Sequence, residues 1–130
     1  MRKLKFRAWD KEKKKWIGKP FSIIGEVTVF DMIKGYSIKD FNNIEVMQYT
    51  GSLDKNKREI YENDIVKSTT QYKIIKCGVV KFEEYEDAEG YCVFNHLGWV
   101  VTRGSDSTTL LDTYPTEVIG NIYENGDLLK

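Results

Sequence analysis

The chain has 130 residues, no formal net charge, 41% hydrophobic and 31% charged residues. That is enough apolar chain to bury a core without metal or disulfide support, and too much for a disordered segment. Only two prolines occur, Pro20 and Pro115, so no Pro-rich linker divides the chain and one domain over 1–130 is expected. The basic start is followed by no apolar signal core, and no apolar run approaches a membrane span, so the expected location is the cytoplasm.

Taken in chain order, Leu4, Phe6 and Ala8 alternate with Lys3, Lys5 and Arg7, the period of a half-buried strand. A polar turn over 10–14 and a second strand over 15–17 complete an N-terminal hairpin, 1–17. Residues 21–24 and 27–30 are β-branched and aromatic, with Gly25 between them. Gly35 interrupts the helical spacing of Met32, Ile33 and Tyr36, which allows at most a short helix in 31–43. The stretch 18–43 is the least regular, and a β core is expected over 44–125. There, 44–49 reads as a strand entering a turn at Thr50-Gly51. Further turns are expected at 53–57 and 62–64, on either side of a short extended piece, 59–61. Strands follow at 65–67, 72–76 and 79–85, the last two split at Gly78, where a bulge or bend is expected. Residues 91–94, 99–102 and 116–123 complete the set, with a turn at 104–107. Aromatic residues make 13% of the chain, eight of them Tyr, which suits pleated surfaces. Short strands at this density of turns predict a mainly β protein, a small barrel or sandwich with little helix. Asp64-Ile65-Val66 and Gly78-Val79-Val80 are similar to the opening strands of SH3-like barrels, and Ile65, Val66, Val79 and Val80 are the expected core.

The two cysteines are expected to stay apart. If 83–85 pairs with 91–93 across a turn at 87–90, Cys92 lies opposite Glu84 or Tyr85. Cys77 is then roughly 25 Å away at about 3.3 Å per residue, whereas a disulfide needs Cα atoms within about 7 Å.

Little in the sequence carries chemistry. His96 is the only histidine and, with two distant cysteines, cannot complete a four-ligand zinc site. It reads as a loop or strand-end residue. Glu83, Glu84, Glu86, Asp87 and Glu89 crowd one hairpin end without the spacing of a calcium loop, and a solvated, edge-protecting turn is the better reading. The phosphate-loop, dinucleotide, nucleophile-elbow and zinc-protease motifs are all missing. The expectation is no enzyme, no metal and no cofactor.

The zero net charge hides a gradient. Residues 1–20 carry nine bases and two acids, a balance of +7, while 81–130 carry three bases and ten acids, a balance of −7. Arg2, Lys3, Lys5, Arg7, Lys13, Lys14 and Lys15, interleaved with Trp9 and Trp16, form a candidate nucleic-acid-binding face. The alternative is lysines that only block edge pairing.

Three stretches resemble the YopX family of phage and prophage proteins. They are Lys5-Phe6-Arg7-Ala8-Trp9-Asp10; Met47-Gln48-Tyr49-Thr50-Gly51 through Asp54-Lys55-Asn56 to Glu59-Ile60-Tyr61-Glu62-Asn63-Asp64-Ile65-Val66; and Glu117-Val118-Ile119-Gly120-Asn121-Ile122-Tyr123-Glu124-Asn125. The resemblance implies a mainly β fold, a phage or prophage origin and residence in the host bacterial cell, and it transfers no catalytic residue. It departs at Lys57 and Asn63, where the family places Gly at turns. Asn tolerates the left-handed conformation at modest cost, whereas Lys adopts it less easily. The leading functional expectation is an accessory interaction module binding a protein or its own copies. The alternative is a nucleic-acid-binding module using the basic hairpin, and a metal-dependent or acid–base enzyme comes third.

Overall fold

The protein, seen in a computed structural model, is described over residues 4–22, 42–69, 74–104, 106–109 and 116–129. The segment expected at 27–30, most of the one expected at 31–43, and parts of those at 21–24 and 72–76 lie outside these residues, as do Arg2 and Lys3. The described part is mainly strand with almost no helix, arranged as two antiparallel five-stranded sheets.

The first sheet is built on β1 (Lys5–Asp10), with β2 (Lys15–Trp16) and β3 (Phe21–Ser22) on one edge and β4 (Ile44–Leu53) on the other, followed by β5 (Glu59–Tyr61). The expected N-terminal hairpin is present, pairing Trp9 with Trp16 and Asp10 with Lys15. Its turn is fixed by the Asp10 carboxylate, which accepts from the backbone N–H groups of Glu12 (3.0 Å) and Lys13 (2.9 Å). β1 is not the half-buried strand that its alternation suggests. Ala8, Trp9 and Asp10 are buried in succession, because β1 is a central strand with protein on both faces. Residues 50–51 form no chain reversal either. Tyr49 pairs with Tyr61 and Leu53 with Glu59, so β4 carries two extra residues in a bulge. Gly51 supplies a φ of 90° there, and the Thr50 hydroxyl donates to the Ile60 carbonyl at 2.8 Å.

The second sheet runs β10 (Thr116–Asn121), β6 (Asp64–Thr69), β7 (Ile74–Glu89), β8 (Cys92–Arg103), β9 (Asp106–Thr109). Four consecutive strands meander, and the last returns beside the first. The break expected at Gly78 is a bulge within one 16-residue strand: Val66 pairs with Gly78 but Ser68 with Ile75. Residues 92–94 and 99–102 likewise belong to a single strand, with Tyr91 in the turn before it, and β9 occupies part of the expected 104–107 turn. The β7–β8 turn is tighter than expected, with Glu89 opposite Cys92. Gly90, at φ 60°, takes the first central position of a two-residue loop, where a left-handed residue matches the strand twist. Both cysteines are free. The corrected register sets them further apart than expected, since Cys77 lies twelve residues before Glu89 on β7, about 40 Å at 3.3 Å per residue.

The core joins Ile60 of the first sheet to Val66, Val80, Val101 and Val118 of the second. Ile65 and Val66 point to opposite faces of β6, yet both have no exposure, so that strand is also covered on both sides. Val79, expected in the core, is half-buried.

Candidate functional site

The three stretches that carry the family resemblance meet where the sheets join. Arg7 of β1 crosses to Asp64 at the head of β6, Nη2 to Oδ1 2.8 Å, and also donates to the Glu62 carbonyl at 3.1 Å. Its guanidinium lies between the rings of Trp16 and Tyr61, 4.5 and 4.8 Å from their centroids. The second Asp64 oxygen accepts the Tyr61 backbone N–H at 2.8 Å. Burial raises the Asp64 carboxyl above its ordinary value, and the Arg7 charge pulls it only partly back. Burial, with Glu59 beside it, also pushes the Tyr61 phenol up.

Asn63, at φ 68°, is a second tie. Its amide donates to the Tyr123 hydroxyl at 3.2 Å and accepts from Lys81 Nζ at 2.7 Å. Trp9 stacks on Tyr123 at 5.4 Å and meets Trp16 edge-on at 4.9 Å. Trp16 in turn donates to Glu124 at 2.7 Å, so the two ends of the chain close on one another. The turn after β10 depends on a close approach. A side chain at position 120 would place its Cβ 2.5 Å from Oδ1 of Asn125, the oxygen that accepts the Asn121 backbone N–H.

The turn between β4 and β5 is held by Asp54. Its carboxylate accepts from the backbone of Asn56 (2.8 Å), Arg58 (2.9 Å) and Val118 (3.0 Å). Burial works to raise this carboxyl, but the three N–H donors outweigh it and leave it below the ordinary value. With Lys55 N–H on the Thr116 carbonyl at 2.8 Å, the turn covers the outer edge of β10. Lys57 stands in the turn at φ 65°. Both positions where the family places Gly therefore have positive φ.

Between the hairpin, this turn and β10 lies a cavity of about 790 Å³. Arg7, Trp16 and Tyr61 form one side, Lys57 and Arg58 another, and Gly120, Asn121 and Glu124 a third, with Lys19 and Pro20 at the 17–20 loop.

The residues of the candidate nucleic-acid face are not brought together as one open surface. Lys5 pairs with Glu59 at 2.9 Å, and the Arg7 side chain is 14% exposed in its pair with Asp64. Lys13, Lys14 and Lys15 are exposed at the hairpin tip. The sequence reading placed Lys5 and Arg7 facing solvent because it took β1 as half-buried, and it gave no site role to Arg58, Asp64 or Glu124. The available signal was the resemblance itself, whose three stretches lie far apart in the chain. His96 is exposed and stacks on Tyr85 at 5.2 Å. Among the described residues, no group of three or more His, Cys, Asp or Glu is placed to hold a metal, and no helix is long and apolar enough to cross a membrane.

The family model for the YopX protein matches residues 5–130. The chain belongs to the YopX family. The same architecture occurs in the crystal structure of protein EF1440 from Enterococcus faecalis, which is similar to this YopX chain over 98% of both chains, with 23% identity and a TM-score of 0.59. At that identity the likeness shows the fold alone. No curated protein matches the chain.

Proposed function

We propose that this YopX-family chain is a non-catalytic interaction module of phage or prophage origin, acting as one domain in the host cytoplasm, whose first partner is a second copy of itself. The supporting observation is the ribbon formed by the outer parts of β7 and β8. Among the described residues, β6 pairs with β7 only as far as Val79, and β9 with β8 only from Val100. Residues 81–89 and 92–99 therefore pair with each other alone. Directly opposed residues share a face. The core pair Val80–Val101 is thus continued along one face by Phe82–Trp99, Glu84–Leu97, Glu86–Asn95 and, further along β8, Val93. Phe82 is 45% exposed, Val93 63% and Leu97 68%. A two-stranded ribbon with an apolar stripe is marginal alone and is stabilised by a covering surface.

Charge selects the occupant. The stripe runs beside Glu84 and Glu86, and the hairpin tip of another copy presents Lys14 and Lys15. Within the molecule, Lys5, Arg7 and Lys11 pair with Glu59, Asp64 and Glu45, away from the ribbon. Exposed ion pairs contribute about 0–1 kcal/mol each, so charge sets orientation while the apolar stripe supplies affinity. Light scattering tests this. The mass should exceed the 15.2 kDa of one chain and fall as salt rises from about 50 to 500 mM. It should also fall in Leu97→Ser and on charge reversal at Lys13, Lys14 and Lys15. A salt-indifferent monomer refutes the reading. If that monomer also bound oligonucleotides with a steep negative salt slope, the exposed hairpin tip would favour nucleic acid instead. An activity abolished by chelation would turn the reading toward an enzyme.

A further inference from the structure

We propose that the cavity between the N-terminal hairpin, the 54–58 turn and β10 binds a small organic anion, a ligand presenting a phosphate or carboxylate group. Its volume of about 790 Å³ lies within the range of small-molecule sites.

The charges around it are unevenly committed. Each carboxylate on the wall already has partners: Asp64 holds Arg7, Glu59 holds Lys5, and Glu124 accepts from Trp16 and from Asn121 at 3.0 Å. The cations are less engaged. Among the described residues, Lys19, Lys57 and Arg58 make no close ion pair; the Arg58 side chain gives Nη1 to the Val118 carbonyl at 3.3 Å, and its charge acts at longer range on Asp54 and Asp64. Arg7, held between its two rings, lines the same cavity, and its Nε–H is buried without an acceptor. An oxyanion in the cavity accepts from these cations and neutralises them.

A second observation is independent of this count. Lys57 holds a left-handed backbone at φ 65°, a position where glycine would carry no strain. A strained residue that lines a cavity suggests a use for its side chain there. Pro20, Ile17 and Ile119 add apolar wall, which favours a ligand with a carbon body over a bare inorganic ion. None of these residues lies on the ribbon, so the inference stands or falls separately from self-association.

The test is thermal shift and calorimetry on the full chain with inorganic phosphate, citrate and adenosine monophosphate, against sodium chloride of equal ionic strength. Citrate or adenosine monophosphate should raise Tm beyond chloride and saturate, the first identifying carboxylate and the second phosphate chemistry. Lys57→Gly should fold at least as well as the parent yet bind about tenfold more weakly, since a lost charge-assisted contact is worth that factor or more. Arg58→Gln should weaken binding similarly. The inference is overturned if neither organic anion exceeds chloride, if inorganic phosphate binds as tightly as both, or if Lys57→Gly binds like the parent.

Discussion

The sheet junction and the β7–β8 ribbon are made from the same alphabet and put it to opposite uses. At the junction, Arg7 bonds to Asp64 across the two sheets and the neighbouring Asn63 bonds to Tyr123, so three distant parts of the chain are tied together. On the ribbon, the pairing is between neighbours in one hairpin, and the large apolar residues Phe82, Val93 and Leu97 face outward. Non-local contacts close the fold, so disturbing them costs stability. The ribbon is attached through a single register, so its face can change with little cost to the rest. Stability is concentrated in one region and availability in the other.

The comparison is most strongly challenged at the core beside the junction. Val66 and Val80 have no exposure, and Val66→Asp or Val80→Asp would bury a carboxylate with no partner. Each should cost more than about 4 kcal/mol and unfold the domain. Leu97→Ser on the ribbon and Lys14→Asp at the exposed hairpin tip should stay within about 0.5 kcal/mol. Lys14 sits at φ 54°, a conformation that Asp tolerates well. Thermal melts that rank ribbon or tip above core would reverse the assignment of the two regions.

Next come the two carboxylates of the junction, which respond to acid with opposite signs. Arg7→Ala leaves Asp64 buried and uncompensated, a loss of about 3–5 kcal/mol at neutral pH. Because the folded state already raises the Asp64 carboxyl, protonation favours the folded form, and removing Arg7 raises the carboxyl further. The deficit of Arg7→Ala relative to the parent should therefore shrink as pH falls through that raised value. Asp54 is held below its ordinary 3.8, so its contribution is present above 3.8 and is lost as pH falls through the lowered folded value. Asp54→Asn should cost about 1–3 kcal/mol at neutral pH, with its deficit vanishing only at the acid end. Denaturant melts of both variants across the acid range would show the two deficits closing in sequence. A deficit for Arg7→Ala that grew on acidification would contradict the junction as described.

The sequence exposed what local pattern controls. Alternation and turn residues located most strands, whereas the left-handed positions Asn63 and Lys57 were pointed to by the resemblance, which implies Gly there, and Lys57 by itself argues against that backbone. The sequence was silent on what distant pairing decides. β1 reads as half-buried because Lys5 and Arg7 are charged, and only their partners Glu59 and Asp64, more than fifty positions on, turn that strand inward. The same limit hid the bulge at Gly51, which is defined by what β5 places opposite it, and the unbroken length of β7 across Gly78. The cavity was illegible for the same reason, being assembled from the hairpin, the Asp54 turn and β10.

Lys57 and Asn63 share a left-handed backbone, which Asn adopts more readily than Lys. Both Lys57 and Asn63 have positive φ, at 65° and 68°. A non-glycine residue there costs about 1 kcal/mol, less for Asn, whose short side chain suits the region. On backbone grounds alone, glycine should help at both. The side chains differ, however. Lys57 is exposed and makes no ion pair among the described residues, so Lys57→Gly removes strain and no stabilising contact, and should gain up to about 1 kcal/mol, offset in part by the greater entropy of the unfolded chain. Asn63 is buried and bonds to Tyr123 and Lys81. Asn63→Gly relieves less strain while abandoning both partners, Lys81 with a charge, and should lose about 1–3 kcal/mol. Denaturant melts of the two glycine variants should therefore move in opposite directions. If both rise, the junction bonds of Asn63 contribute nothing measurable; if both fall, the Lys57 side chain does structural work in the turn beyond lining the cavity.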